Sequence, residues 1–276
     1  MIAVVLALGA SLSYGVGDFL GGLSARRMHV LAVLGVSQLV GAVAVGVWTL
    51  VAAEPFLGAG ATAAAMAAGV CGAVGLGALY RGMAIGAMGV VAPISSVAAA
   101  IPFAYGVARG ERPSLVQFAG VVVALAGLVF VSRAPGATRA VSAGVGLALI
   151  AALGFGFYFV FLGAGADDSV PWTVLVARLT SSALALSAVL AVGATLRVER
   201  ALLVPVLAVG LCDTGANVLF ALASTRGLLS VVSVLTSLYP AVTVALAAFI
   251  LRERVSRGQL AGGGAVLAGA ALISAG

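Results

Sequence analysis

Charge is what this chain has least of. Only 8% of its 276 residues are charged, 14 basic and 8 acidic, against roughly 25% in an average soluble domain. So few charges cannot coat a globule of this size in water. A soluble enzyme, a disordered chain and a coiled coil are thereby excluded, and the surrounding medium is read as lipid. Lysine is absent, and all 14 basic residues are arginine. Without lysine there is no phosphate-binding P-loop. The isolated Gly-x-Gly runs lie inside apolar stretches, where they are not dinucleotide fingerprints. The single histidine, His29, sits in a loop beside Arg26 and Arg27, which offers neither a metal site nor a catalytic base. No cofactor is expected. The two cysteines, Cys71 and Cys212, both fall inside apolar runs and read as inert thiols, not as a disulfide framework. The isoelectric point near 10.2 does not signal a nucleic-acid partner. The arginines stand singly or in short clusters between apolar runs, as topology signals do. No small-residue cleavage site follows the first apolar stretch, so it is expected to be retained as a span.

What is present is apolar length. Hydrophobic residues make up 63% of the chain, and 38 glycines are scattered among them, where small residues let helices approach closely in lipid. A membrane helix needs roughly 20 mainly apolar residues. On that ruler the sequence predicts ten spans, at about 2–23, 30–53, 62–84, 88–108, 115–132, 142–164, 171–194, 202–222, 228–251 and 258–275. Short polar breaks separate them, such as Glu54-Pro55, Asp167-Asp168 before Pro171, and Arg197 to Arg200. The runs are too long and too unbroken for strands of a membrane β-barrel.

The chain also resembles itself at an offset of 141 residues. Leu12-Ser-Tyr-Gly15 lies over Leu153-Gly-Phe-Gly156, and Leu79 to Gly86 over Phe220 to Gly227. Gly89-Val-Val91 lies over Ser230-Val-Val232. After a one-residue shift, Gly110-Glu-Arg112 lies over Arg252-Glu-Arg254, each followed by a Gln-x-x-Gly run (Gln117 to Gly120, Gln259 to Gly262). The predicted units are 1–135 and 136–276. Five spans per unit is an odd number, so the second unit enters the membrane from the opposite side. The expected fold is therefore an all-α integral membrane protein of ten helices in two inverted five-helix repeats, a recurring plan of secondary transporters.

Ten spans, two five-helix repeats and a Glu-Arg step before the last helix of each repeat resemble the drug/metabolite transporter superfamily, and within it the EamA-type ten-helix transporters. The resemblance covers essentially the whole chain and implies alternating access around a central cavity. The first four helices of each repeat would line that cavity, with the fifth and tenth peripheral. Glu111 and Glu253 match the family's glutamate at the ends of the fourth and ninth helices. Lying in arginine-flanked loops, they are read as structural or gating elements first.

Loops on the face that carries the N-terminus hold three arginines, 109, 112 and 226. The opposite face holds nine, at 26, 27, 133, 139, 197, 200, 252, 254 and 257. The positive-inside rule puts the nine-arginine face in the cytoplasm and both termini outside. Family members are often placed the other way round. The expected location is the cell (plasma or inner) membrane, as a monomer or homodimer.

Ionisable groups inside spans cost roughly 2.5–3.5 kcal/mol each even on mild insertion scales. Asp213 lies mid-way in the eighth span, with Asn217 one helical turn on. The pair is read as substrate-binding or coupling, against the alternative of an acid merely held by a polar partner. Asp18 in the first span shares a face with Tyr14 and is a cavity candidate, or else an interfacial acid paired with Arg26 or Arg27. Arg178 in the seventh span either snorkels or pairs with Asp213 or Asp18. Arg81, near the end of the third span, is read as snorkelling, and Gln38 and Gln117 as helix–helix glue. Tyr14, Tyr80, Phe155, Tyr158 and Tyr239 are candidates for an amphipathic cavity wall. Pro93, Pro102 and Pro240 should kink the fourth and ninth spans and are gating candidates.

With no nucleotide site, transport energy must come from a gradient, with protons a candidate coupling ion. The expected function is secondary transport, as an exporter, of small organic metabolites such as amino acids. An exporter of lipophilic cations is the alternative. An integral-membrane lipid-modifying enzyme or a non-transporting scaffold is the rival from another class. The chain lacks the His, Asp or Ser cluster that such an enzyme would need.

Overall fold

The computed structural model describes residues 1–86, 88–132, 139–251 and 257–275. Twelve helices follow one another: α1 (Ile2–Ala25), α2 (Val30–Ala52), α3 (Ala59–Ile85), α4 (Met88–Ser95), α5 (Ala100–Ala108), α6 (Leu115–Ser132), α7 (Arg139–Ala166), α8 (Val170–Val192), α9 (Arg200–Ser224), α10 (Leu229–Thr236), α11 (Tyr239–Ile250) and α12 (Arg257–Ala275). Among the described residues, eight helical stretches are long and apolar enough to cross a membrane, counting Val90–Ala108 and Leu229–Ile250 as one each. With α6 and α12 they make ten spans in two inverted five-helix repeats. Large apolar side chains point outward all round, Leu50, Leu190 and Phe249 among the most exposed, as a lipid-facing surface requires. The segment carrying Glu253, with Arg252 and Arg254, and the segment carrying Arg133 lie outside the described residues.

Local chemistry sets the helix ends. Ser169 caps α8 by accepting from the Trp172 N–H, with Pro171 in the first turn, where its missing N–H costs nothing. The His29 Nδ1 accepts from the Leu31 N–H and caps α2, which gives the lone histidine a structural task. Gln117 was expected to be glue between helices, but its side chain turns to its own helix start. Its Oε1 accepts from the Ser114 N–H while the Ser114 Oγ accepts from the Gln117 N–H, a reciprocal capping box. Gly193 ends α8 at φ 64°, in the left-handed region that glycine tolerates.

The two repeats interlock helix by helix. α3 lies along α7 and α1 along α9, and exchanging each helix for its equivalent in the other repeat turns one pair into the other. α2 packs on α8 and α6 on α12, each pair being its own image. Lipid supplies no hydrophobic drive for helix association, so close backbone approach has to do the work. Gly69 and Gly210 are 141 residues apart and do the same job. A Cβ on Gly69 would lie 2.5 Å from the Ala177 carbonyl oxygen, and one on Gly210 would lie 2.5 Å from the Ser37 carbonyl oxygen. Each glycine presses its helix against the second helix of the other repeat.

The fourth and ninth spans are both broken. After Pro93 the chain tightens into a 3-10 turn at Ser96–Ala99 before α5 resumes. In the ninth span α10 stops at Thr236 and α11 restarts at Tyr239, with Pro240 in its first turn. Ser95 Oγ and the Tyr239 hydroxyl lie 2.7 Å apart and join the two breaks.

Candidate functional site

The breaks and the glycine contacts leave a cavity at the centre of the bundle. Tyr14 and Asp18 from α1, Gln38 from α2, Gly72 from α3, Tyr158 and Phe159 from α7, Arg178 and Ser181 from α8, Asp213 and Asn217 from α9 and Tyr239 from α11 all line it. Among the described residues, none of α6 or α12 lines it. The repeat offset organises this wall. Tyr14 is equivalent to Phe155, Asp18 to Phe159, Gly72 to Asp213 and Leu76 to Asn217, each pair 141 residues apart. All eight residues line the cavity. In each pair one member is polar and the other apolar or glycine. The frame is pseudo-symmetric, but its chemistry is not.

Arg178 is 3% exposed and does not snorkel. Its NH1 donates to Asp213 Oδ2 at 2.7 Å, an ion pair joining α8 to α9. The same NH1 donates to Gln38 Oε1 at 2.5 Å, and Ser181 Oγ donates to that oxygen at 2.8 Å. Gln38 is glue between helices as expected, but the helix it binds is α8, at the site itself. The Arg178 Nε and NH2 are buried and, among the described residues, have no hydrogen-bond partner. Together they form the side-on edge of the guanidinium, the geometry that grips a carboxylate through two parallel bonds. Buried donors left unpaired are rare enough to need a reason.

Asp213 and Asn217 share one face of α9, and the Tyr14 hydroxyl donates to Asn217 Oδ1. Asp18 is 4% exposed and belongs to the cavity, not to the interface. Arg26 reaches the Met83 and Gly86 carbonyl oxygens. Among the described residues Asp18 makes no ion pair. Tyr14 meets Phe159 and Tyr239 edge-on, with ring centroids 6.2 and 6.1 Å apart. Of the aromatic candidates, Tyr14, Phe155, Tyr158 and Tyr239 reach the lining. Tyr80 does not. It is fully buried against Gly21, where glycine leaves room for its ring. Ser181, Gln38 and Phe159 are cavity residues that sequence reasoning missed. Ser181 and Phe159 fall one turn from Arg178 and Phe155, and helical spacing alone could have flagged them.

Polar ties close the N-terminal face between repeats. Ser169 Oγ donates to Glu54 Oε2 at 2.6 Å, and Trp172 Nε1 donates to the Glu54 carbonyl oxygen at 2.9 Å. The Gly58 N–H donates to Asp168 Oδ2 at 3.2 Å. Glu111 accepts from the Leu229 and Ser230 N–H groups at 2.9 Å each. Its carboxylate thus sits on the positive end of α10 and ties the fourth span to the ninth.

The family assignment agrees with this geometry. A family model described as "EamA-like transporter family" matches residues 1–133 and, a second time, residues 142–275. The chain belongs to the EamA-like transporter family. It is therefore a multi-pass membrane protein of the drug/metabolite transporter superfamily. The two matched stretches correspond to the two five-helix repeats of this transporter. No curated protein matches the chain. One solved structure, described only as "Crystal structure of protein", superposes on 98% of this chain and 95% of its own with a TM-score of 0.78 at 16% identity. At that identity the likeness is one of fold.

Proposed function

We propose that this EamA-family transporter is a secondary transporter of small organic molecules bearing a carboxylate, such as amino acids, and works by alternating access. The observation that carries the reading is the unpaired side-on edge of Arg178 in a cavity where Asp213 already holds NH1. A substrate carboxylate would take Nε and NH2. Asp213 would keep the guanidinium in place, and Asn217 and Tyr14 would fix Asp213's face of the wall. Asp18, an acid of the same cavity that has no cation partner among the described residues, would receive either the substrate's ammonium group or a coupling proton.

The cavity measures about 40 Å³, room for a few waters at roughly 10–15 Å³ each. An amino acid needs more, so substrate binding must widen it. The broken fourth and ninth spans, with Pro93, Pro102 and Pro240, are where we place that movement. The repeat boundary near residue 135 would then separate two bodies that rock about the site. The charge count supports a cytoplasmic nine-arginine face, and loading from that face with export outward is part of the proposal. Asp18, with no ion pair among the described residues, also favours a second reading, export of a lipophilic cation.

The test is uptake into proteoliposomes of a panel of amino acids, organic acids and lipophilic cations, with and without a pH gradient. The expected result is transport of a carboxylate-bearing compound, stimulated by the gradient, with stimulation lost in Asp18→Asn. Transport of cations alone, or of nothing on the panel with either gradient, contradicts the proposal.

A further inference from the structure

The central cavity is not the roomiest space in the molecule. On the face opposite the N-terminus, a cleft of about 420 Å³ opens between the α2/α8 pair and the α3/α7 pair. Its mouth and its floor differ in character. At the mouth is Arg81, exposed and, among the described residues, without an ion pair or hydrogen bond. His29 and Arg81 together line the adjoining recess. The walls are apolar, with Leu34, Gly77, Ile150 and Leu184 typical. The floor is polar and consists of Gln38 and Ser181, the two side chains bonded to each other beside Arg178. Both residues line the central cavity too. Arg81 stands four residues before the end of α3, about 6 Å along its axis. Ser181 stands eleven residues before the end of α8, about 16 Å deep. The cleft therefore runs from the membrane interface to mid-bilayer and ends on the far side of Gln38 from the transport site.

We propose that this cleft is the entrance vestibule of the central cavity and selects amphipathic organic anions, molecules with a carboxylate and an apolar body. The inference rests on the transport reading for what lies beyond the floor, but the vestibule's chemistry stands on its own residues. A cleft with low-dielectric walls and charge of one sign focuses its field and concentrates ions of the other sign. Here the titratable and charged lining residues are Arg81 and His29, and no acid lines either the cleft or the recess among the described residues. A carboxylate meets Arg81 first. Its apolar body slides along walls that a strongly hydrated ion would leave. The Gln38 carboxamide, bonded to NH1 of Arg178, then stands between the cleft and the central cavity, both of which it lines. Val74, Ile150 and Leu184 line the cleft and are exposed at its flank, so an amphiphile partitioned in the bilayer can arrive from the side as well as from water. Gln38 is on this account a positioning residue. It holds Arg178 from one side and closes the vestibule from the other.

The experiment is thiol labelling in nanodiscs, which needs no transport substrate and so can fail or succeed apart from the transport reading. In a background with Cys71→Ser and Cys212→Ser, single cysteines are placed on the cleft wall as Ala188→Cys and Ala73→Cys, and on the lipid-facing surface as Val43→Cys. Each is reacted with an anionic (sulfonatoethyl) and a cationic (trimethylammonium-ethyl) methanethiosulfonate. The vestibule predicts that both wall positions react and the surface position does not. It predicts an anionic-over-cationic rate ratio raised about tenfold above that of free cysteine, and that Arg81→Gln removes most of that excess. Two wall positions guard against one variant misfolding. No reaction at either position, as in a groove filled by lipid chains, overturns the proposal. So does a rate ratio that Arg81→Gln leaves unchanged.

Discussion

At the scale of single residues, the fold holds a buried charge pair in a medium that penalises charge. A buried pair is weak support for stability, because desolvation of both ions offsets their attraction. Breaking it by removing one partner strands the other charge and costs about 3–5 kcal/mol. Arg178→Gln alone and Asp213→Asn alone should each lower the melting temperature of the purified protein clearly. The double variant should regain most of the loss, since neither charge is then stranded. Equal melting temperatures for both single variants and the parent would show that the pair is solvated and not buried. Gln38 refines this account, because its single acceptor oxygen is shared by Arg178 and Ser181. That triad is invisible in sequence. Glutamine in an apolar run reads as generic glue, and only the packing of α2 on α8 tells which partner it meets.

At the scale of helices, close backbone approach replaces the hydrophobic effect. Gly210→Leu would drive a side chain into the Ser37 carbonyl and Val40, and overpacking of this kind costs about 1–3 kcal/mol. A Cβ at Gly146 meets nothing within 4 Å, so Gly146→Leu on α7 should be neutral or mildly stabilising. Thermal unfolding in detergent distinguishes them, and an equal loss at both positions would contradict close approach as the cause. The ten spans were legible because span length and hydropathy are local signals. The breaks in the fourth and ninth spans were legible in part. Pro93 and Pro240 mark their neighbourhood, but the Ser95–Tyr239 bridge that joins them spans 144 residues and has no local trace. Asp213 was legible as an isolated acid in an apolar run. Its choice of Arg178 over other partners was not, because it depends on how the seventh and eighth spans are placed around the core. The place of Tyr80 was not legible for a similar reason. A tyrosine late in a span can face a cavity or a glycine gap, and Gly21 decides for the latter.

At the scale of the whole molecule, the described polar ties between repeats at the loops gather on the N-terminal face, through Glu54, Asp168 and Glu111. The wide cleft lies on the other. Among the described residues, the loop ties between repeats and the wide cleft thus lie on opposite faces. If the nine-arginine face is cytoplasmic, a reporter active only in the cytoplasm will be silent when fused to the C-terminus and active when inserted between α8 and α9. The opposite pattern would reverse the direction of loading. The central claim is that Arg178, held in place by Asp213, binds the transported molecule and that the pair does not merely brace the bundle. The most direct measurement is proteoliposome uptake by the double variant Arg178→Gln/Asp213→Asn, using a compound that the parent transports and protein whose melting temperature matches the parent's. The account predicts a folded protein that transports nothing above the empty-liposome background. Transport at the parent's rate by that variant would contradict it.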